Sequence, residues 1–253
     1  MQLFDLTGQV ALVTGSSRGI GFALAQGLAA AGAHIVLNGR NTERIEAAAE
    51  ILRGQGAKIA LSAFDVTDPQ AAEQAVYAIE RDVGPIRILV NNAGIQHRAP
   101  LHEFPDEKWH ELFRTNLDSV FYVSKAVAKR MIPRKAGKIV NIASVNAELG
   151  RPGIAPYTAT KGAVKQLTRG MACDWAKYNV QVNAIGPGYF DTEMTQSLVQ
   201  DAGFTAWLEK RTPAGRWGDA SELVGAAVFL ASAASSFVNG QIIYVDGGMT
   251  ASV

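Results

Sequence analysis

Cysteine occurs once in these 253 residues, at Cys173, so no internal disulfide framework can form and a reducing compartment is expected. Its place on a helix following Tyr157 points to a buried structural thiol, not a nucleophile. Neither sign of charge is in excess: 24 Lys and Arg stand against 23 Asp and Glu. Without a basic run, that balance excludes a nucleic-acid footprint. No apolar run approaches the ~18 residues of a membrane span, and the chain enters its first strand without a charged-then-apolar leader. A cytoplasmic protein with no membrane partner is expected. Histidine is scarce, and His34, His97, His102 and His110 lack metal-ligand spacing, so no metal site is expected. No linker, repeat or low-complexity segment divides the chain, which leaves residues 1–253 as one domain.

What is present is an alternation of strands and helices. Gln9 to Thr14 is a short apolar strand that runs into Thr14-Gly15-Ser16-Ser17-Arg18-Gly19-Ile20-Gly21, and an alanine-rich helix follows from about Ile20 to Ala31. Gly15 permits a sharp turn, Gly19 lets a phosphate approach the backbone, and Gly21 allows close helix packing; free amides at the helix start, including those near Ser17 and Ile20, face the anion. The second strand, His34 to Leu37, is followed by Asn38-Gly39-Arg40. An acidic residue there would bond the ribose hydroxyls of NAD, so Arg40 favours NADP over NAD. Arg18 points the same way, because a cation in the first turn of a helix opposes the macrodipole unless an anion is nearby.

The alternation continues with a helix from about Thr42 to Gly54, a strand from Lys58 to Phe64, a helix opened by Asp68-Pro69 and a strand from Ile86 to Val90. Asp65 and Val66 follow the third strand on the edge where nucleotides bind, which places them beside an adenine, although a plain turn role for Asp65 fits almost as well. Asn91-Asn92-Ala93-Gly94 follows the fourth strand, small and polar where a ribose could lie. A helix from about Asp106 to Arg130 carries Asn116 inside an apolar pattern, either as a satisfied core amide or as a fixed partner for water and Lys161. After the strand Lys138 to Ala143 come a helix from Tyr157 to about Tyr178 and a strand from Val180 to Ile185, closed by Gly186-Pro187-Gly188. From Tyr189 to Pro213 the rhythm is lost, as in a substrate lid; a helix from about Asp219 to Ala231 and a strand from Gln241 to Val245 close the chain.

Chemistry concentrates between Ser144 and Lys161. Tyr157 and Lys161 are four apart on a helix, which puts the ammonium beneath the phenol. Lowering a phenol by about three pH units takes roughly 4 kcal/mol. One cation about 4 Å away at an effective dielectric of about 20 supplies a gross interaction of that size. The same phenol is the acid in the reverse direction, and Ser144 can hold the carbonyl oxygen that receives its proton. The loops around that carbonyl carry Gln96, His97, Arg98, Asn146, Glu148 and Arg151, the hydrogen-bonding groups and cations that a polyhydroxy acid needs.

Taken together, Thr14-Gly-x-x-x-Gly19-x-Gly21, Asn91-Asn-Ala-Gly94, Asn116, Ser144, Tyr157-x-x-x-Lys161 and Pro187-Gly-x-x-x-Thr192 resemble the short-chain dehydrogenase/reductase family over the whole chain. The resemblance implies a Rossmann-type doubly wound α/β domain, with a seven-stranded parallel sheet and helices on both faces. It implies Tyr157 as acid/base, Lys161 as its activator and ribose anchor, Ser144 as carbonyl orienter and Asn116 in a proton relay. Pro187, Gly188 and Thr192 would meet the nicotinamide, with Thr192 on its carboxamide, and a homotetramer is expected. The stretches Asn92–Arg98, Pro187–Met194, Lys210–Trp217 and Phe237–Gly240 are similar to those of the family's sugar-acid dehydrogenases, with Asn146-Ala147 departing from an expected Gln-Ser. Ser144 and Tyr157 on this resemblance, and Gln96, Arg98, Asn146 and Arg151 by the chemical character of their loops, are expected to meet the substrate. Reductases of another sugar or of 3-oxoacyl thioesters are the alternatives within enzymes. The alternative class is a catalytically silent nucleotide-binding regulatory protein, against which the intact Asn116, Ser144, Tyr157 and Lys161 argue.

Overall fold

The computed structural model describes residues 2–253. Seven strands form one parallel sheet in the order β3-β2-β1-β4-β5-β6-β7: β1 Val10–Val13, β2 His34–Gly39, β3 Ile59–Ala63, β4 Ile86–Asn91, β5 Gly137–Ile142, β6 Val180–Pro187 and β7 Ile242–Val245. Parallel strands with crossovers are buried on both faces, so they read as apolar runs; every residue of β1 and β6 is buried.

Side-chain alternation divides the core. Ala11 and Val13 point to one face, where α1 (Gly19–Ala30), α2 (Thr42–Gly54) and, late in the chain, α9 (Val224–Ala231) contribute Leu24, Leu28, Leu52 and Leu230. Val10 and Leu12 point to the other face, where α3 (Pro69–Asp82) and two longer helices supply Val76, Ile79, Val127 and Met171. These arrangements give the expected doubly wound α/β fold with helices on both faces.

The long helix expected from 106 to 130 is interrupted. α4 (Asp106–Phe113) passes into a π-helical turn, Arg114–Asp118, before α5 (Ser119–Arg134) continues. That turn carries Asn116, and an extra residue in a helical turn is a usual way to re-aim a side chain at a functional site. α6 (Ala155–Trp175) begins two residues before Tyr157 with Pro156 in its first turn. The Tyr189–Pro213 segment is not irregular throughout, since it holds α7 (Gln196–Val199) and α8 (Ala202–Arg211), the latter capped by Asp201. Cys173 is exposed, contrary to the buried thiol expected, because Met171 and Ala172 take the inward face of α6. Among the described residues no helix is long and apolar enough to cross a membrane.

Strand order reverses between β1 and β4, and the crevice beyond their carboxyl ends is where ligands bind in open α/β sheets. The glycine-rich loop after β1 and the Asn92–Gly94 turn after β4 meet there.

Candidate active site

Thr14 and Asn92 stitch the crevice floor. The Asn92 and Ala93 amides donate to Thr14 Oγ1 at 2.9 and 3.1 Å, and Asn92 Nδ2 donates to the carbonyls of Thr14 and Gly15 at 3.0 Å each. Packing therefore sets two of the three loop glycines: a Cβ on Gly15 would lie 2.9 Å from Ala93 Cα, and one on Gly21 would collide with the Asn92 amide and the Gly15 carbonyl. Gly21 thus packs on the neighbouring loops, where the sequence suggested the sheet. Gly19 differs. It has φ +56°, and the site of its missing Cβ meets only Thr192 Cβ, at 3.9 Å, across open space. Arg18 gives α1 no side-chain cap, so the amides from Gly19 to Gly21 stay open. Bare backbone, an open helix start and a small polar turn opposite fit a dinucleotide pyrophosphate.

The flanking side chains are less free than the sequence suggested. Arg18 pairs with Glu193, so the anion at its helix start is already within the protein, and its value as a sign of a cofactor phosphate is reduced. Arg40, 76% exposed, faces Asp65 at 3.9 Å. Asp65 Oδ1 also accepts from the amide and hydroxyl of Thr67, at 2.9 and 2.8 Å, which is a turn role. Val66 is buried in the core beside Phe64, so its side chain belongs to the core. On the far wall Gly188 donates to the Val245 carbonyl at 3.0 Å and packs where a Cβ would lie 2.8 Å from Asp246 Cα, one residue beyond Pro187. Thr192 Oγ1 lies 3.1 Å from Thr195 Oγ1.

Beyond the crevice, Gln96, Arg98, Ser144, Asn146, Arg151 and Tyr157 line one pocket of about 450 Å³. These six residues come from three stretches: the loop after β4, the segment after β5 and the start of α6. The Ser144 hydroxyl accepts from the Asn146 backbone amide at 3.1 Å and lies beside the Tyr157 phenol, where it offsets part of the upward push of burial. Asn146 turns back on its own loop, with Oδ1 3.3 Å from Ser144 Oγ and Nδ2 donating to the Leu149 carbonyl at 3.3 Å. Arg98 and Arg151 face no carboxylate within ion-pair distance among the described residues. Burial and the nearby Arg151 charge hold the Arg98 guanidinium below its usual range. Arg151 lies 5.0 Å over the Phe204 ring, and its Nε is buried without a partner.

Lys161 is buried, donates from Nζ to the Ile142 carbonyl at 2.7 Å, and sits 5.6 Å from the centre of the Tyr157 ring. The expected lowering of the phenol is not present in the protein alone. Burial pushes Tyr157 up to about 12 and Lys161 down to about 8, because desolvation disfavours the charged form of each. Asn116 likewise does not bond Lys161. Its Oδ1 accepts from the Ile95 amide at 2.8 Å, while its Nδ2 donates to the Ile95 carbonyl at 3.0 Å and to Thr160 Oγ1 at 3.3 Å.

Sequence reasoning did not single out Tyr189, Met194, Thr195 and Leu198 as pocket walls. Their signal was the crowding of Tyr189, Phe204, Trp207 and Trp217 in and after an apparent loop; these rings pack within about 6 Å of one another. Glu148, read as a polar wall, instead faces away from the pocket to Lys165 and Tyr244.

A hydroxyl, a phenol and an ammonium at one end of a cationic pocket, beside a dinucleotide crevice, define a carbonyl/alcohol oxidoreductase. A family model described as enoyl-(acyl carrier protein) reductase matches residues 15–250, and the chain belongs to the short-chain dehydrogenase/reductase family. It is 62% identical over 251 residues, covering 99% of this chain and 98% of the relative, to the gluconate 5-dehydrogenase of Gluconobacter oxydans (strain 621H). It is 55% identical, over 99% of each chain, to the 5-keto-D-gluconate 5-reductase of Escherichia coli (strain K12). A crystal structure of a gluconate 5-dehydrogenase from Burkholderia cenocepacia J2315, in complex with NADP and tartrate, superposes with a TM-score of 0.98 at 57% identity, covering 100% of this chain and 99% of that one.

Proposed function

We propose that this protein interconverts D-gluconate and 5-keto-D-gluconate, with NADP as hydride partner. The observation that carries the reading is a pair of guanidiniums, Arg98 and Arg151, without acidic partners in the pocket that also holds Ser144 and Tyr157. Arg98 is exposed and Arg151 half-buried at the pocket wall, and a substrate carboxylate supplies the charged partner that neither has among the described residues. The likeness to the Gluconobacter and Escherichia proteins supports the choice of sugar acid.

In the reducing direction Tyr157 is a loaded acid, since a phenol near 12 is fully protonated at neutral pH. It gives its proton to the carbonyl oxygen, which the Ser144 hydroxyl orients. In the oxidising direction the phenol must be lowered, and Arg98 already acts in that sense. Gly15, Ser17, Arg18, Gly19, Ile20 and Gly21 would hold NADP, which would supply the hydride and, when oxidised, a positive charge that favours the phenolate. Arg40 would take its 2′-phosphate, Asp65 and Val66 its adenine edge, and Asn92, Ala93 and Gly94 a ribose together with Lys161. Pro187, Gly188 and Thr192 would hold its nicotinamide. Lys161 contributes placement through the Ile142 carbonyl, two residues before Ser144. Asn116 contributes placement through Ile95, ahead of Gln96 and Arg98.

A 3-oxoacyl thioester reductase is the second reading, raised by the description of the family model. Ile154, Met194 and Leu198 line one side of the pocket, but two arginines with Gln96, Ser144, Asn146 and Thr195 make poor walls for an acyl chain. Purified protein with NADPH should turn over 5-keto-D-gluconate and leave acetoacetyl thioesters nearly untouched; the reverse preference would overturn the proposal. Tyr157→Phe should lower kcat by about 10³-fold while NADPH still binds.

The same proposal takes residues 1–253 as one domain with a lid at about 189–213, supported by the Arg151 stack on Phe204. It takes the assembly as a homotetramer, supported by exposed Trp109 and Phe121 on α4 and α5 and by fully exposed Phe237 before β7. A cytoplasmic location fits the single exposed thiol.

A further inference from the structure

The segment from Ser144 to Ile154 carries the carbonyl-orienting hydroxyl at one end and Arg151 near the other. Short backbone bonds coil its first half: Ala147 to the Ser144 carbonyl at 2.9 Å, and Glu148 and Leu149 to the Val145 carbonyl at 3.0 and 2.9 Å. A bond from the Ala99 amide to the Gly153 carbonyl, 3.1 Å, ties the loop bearing Arg98 to the same segment. Halfway along, Glu148 alone reaches outward to both the helix and the sheet. Its Oε1 accepts from Lys165 Nζ on α6, eight residues beyond Tyr157, and from the Tyr244 hydroxyl on β7 at 2.6 Å. The Tyr244 ring is itself fixed, because it lies against Gly186 of β6, where any Cβ would collide with it. The Lys165 side chain is 14% exposed and that of Glu148 38%, so the junction lies at the surface with its lysine sheltered.

We propose that Glu148 is a positioning residue that sets the span between the reacting carbonyl, at Ser144 and Tyr157, and the anionic end of the substrate, at Arg98 and Arg151. The proposal rests on the reading of those arginines as carboxylate receptors. Glu148 reaches the reaction only through the backbone: one carboxylate oxygen joins the loop to the helix bearing Tyr157 and to the edge strand. Freed of it, the Arg151 end can drift relative to Ser144, and a misplacement near 1 Å is enough to cost about 10²-fold in productive binding.

Charge and position predict opposite signs here. Removing an anion near Lys165 and Arg169 makes the region more positive, which by long-range attraction would lower KM for an anionic ketone. Loss of positioning raises it. Glu148→Ala should raise KM for 5-keto-D-gluconate by about tenfold or more, with the NADPH dissociation constant within about twofold of the wild type. Its preference for 5-keto-D-gluconate over a five-carbon 4-ketoaldonate should narrow by about fivefold. Glu148→Gln, whose amide oxygen still accepts from Lys165 and Tyr244, should recover most of the loss. Tyr244→Phe, which changes no charge, should show an intermediate KM and serves if Glu148→Ala fails to fold. A lowered or unchanged KM with unchanged chain-length preference in Glu148→Ala and Tyr244→Phe would overturn the positioning role. A wild-type protein inactive on 5-keto-D-gluconate would overturn the functional reading instead.

Discussion

Lys161 is buried and Tyr157 is half-buried on the pocket wall, and desolvation acts on them in opposite senses. Below pH 8 the folded protein carries a buried ammonium, at a cost of roughly 3 kcal/mol relative to its ordinary value. Between about 8 and 10.5 the unfolded chain holds more protons at this site than the folded one, so the penalty fades as pH rises through that window. Lys161→Met should therefore abolish activity yet raise the unfolding midpoint at pH 7 by about 3 °C, after allowing for the Ile142 carbonyl left without its donor. Calorimetry at pH 7 and 9.5 checks this: the gap between variant and wild type should shrink at the higher pH, and a variant less stable at both would contradict it. Arg18 is engaged by Glu193 and Arg40 faces Asp65 only at 3.9 Å, which leaves Arg40 as the cation proposed to read the 2′-phosphate. Arg40→Asp should lower the ratio of NADP to NAD efficiencies by about 10²-fold, read from initial rates with each cofactor. An unchanged ratio would free Arg40 of that role.

At the scale of elements, the site depends on how loops are stapled to strand ends. The β1–α1 turn leans on Asn92, so Gly21→Ala should push the two apart. A loss of about 1–3 kcal/mol of stability is expected, together with weaker NADPH binding by fluorescence titration. The π-helical turn at Arg114–Asp118 has the same kind of function. It aims Asn116 at both polar groups of Ile95, three residues before Arg98. In Asn116→Leu the Ile95 amide loses its acceptor. Hydrogen exchange at Ile95 should become at least about tenfold faster than in wild type, reported by mass spectrometry of a peptide spanning 94–99. Exchange unchanged there would show that the turn holds the loop by other means.

Two of the apolar regions that the described residues present to solvent bear on assembly. Trp109 and Phe121 stand out on α4 and α5, and Phe237 is entirely exposed beside the edge strand β7, none of whose residues is fully buried. Four copies of a 26.9 kDa chain are expected in solution by sedimentation equilibrium. Phe121→Glu and Phe237→Glu should each lower that mass, because a charge at a buried contact is costly. A monomer at micromolar concentration would contradict the assembly.

The alternation of apolar strands with amphipathic helices, the glycine-rich turn and the four-residue spacing of Tyr157 and Lys161 are local patterns, and local patterns survive in a one-dimensional reading. They carried the strand–helix alternation and the polar residues that gather in the pocket, from Gln96 to Tyr157, while the doubly wound seven-stranded sheet followed from the family resemblance that the motifs bear. What they could not give depends on which groups from distant stretches compete for the same atom. Arg18 meets Glu193 from 175 positions away, Lys161 takes the Ile142 carbonyl, and Glu148 turns from the substrate to Tyr244 across 96 positions. Desolvation is likewise a property of the packed molecule: a lysine four residues after a tyrosine can lower the phenol or leave it high, and desolvation of the phenol decided that it stays near 12.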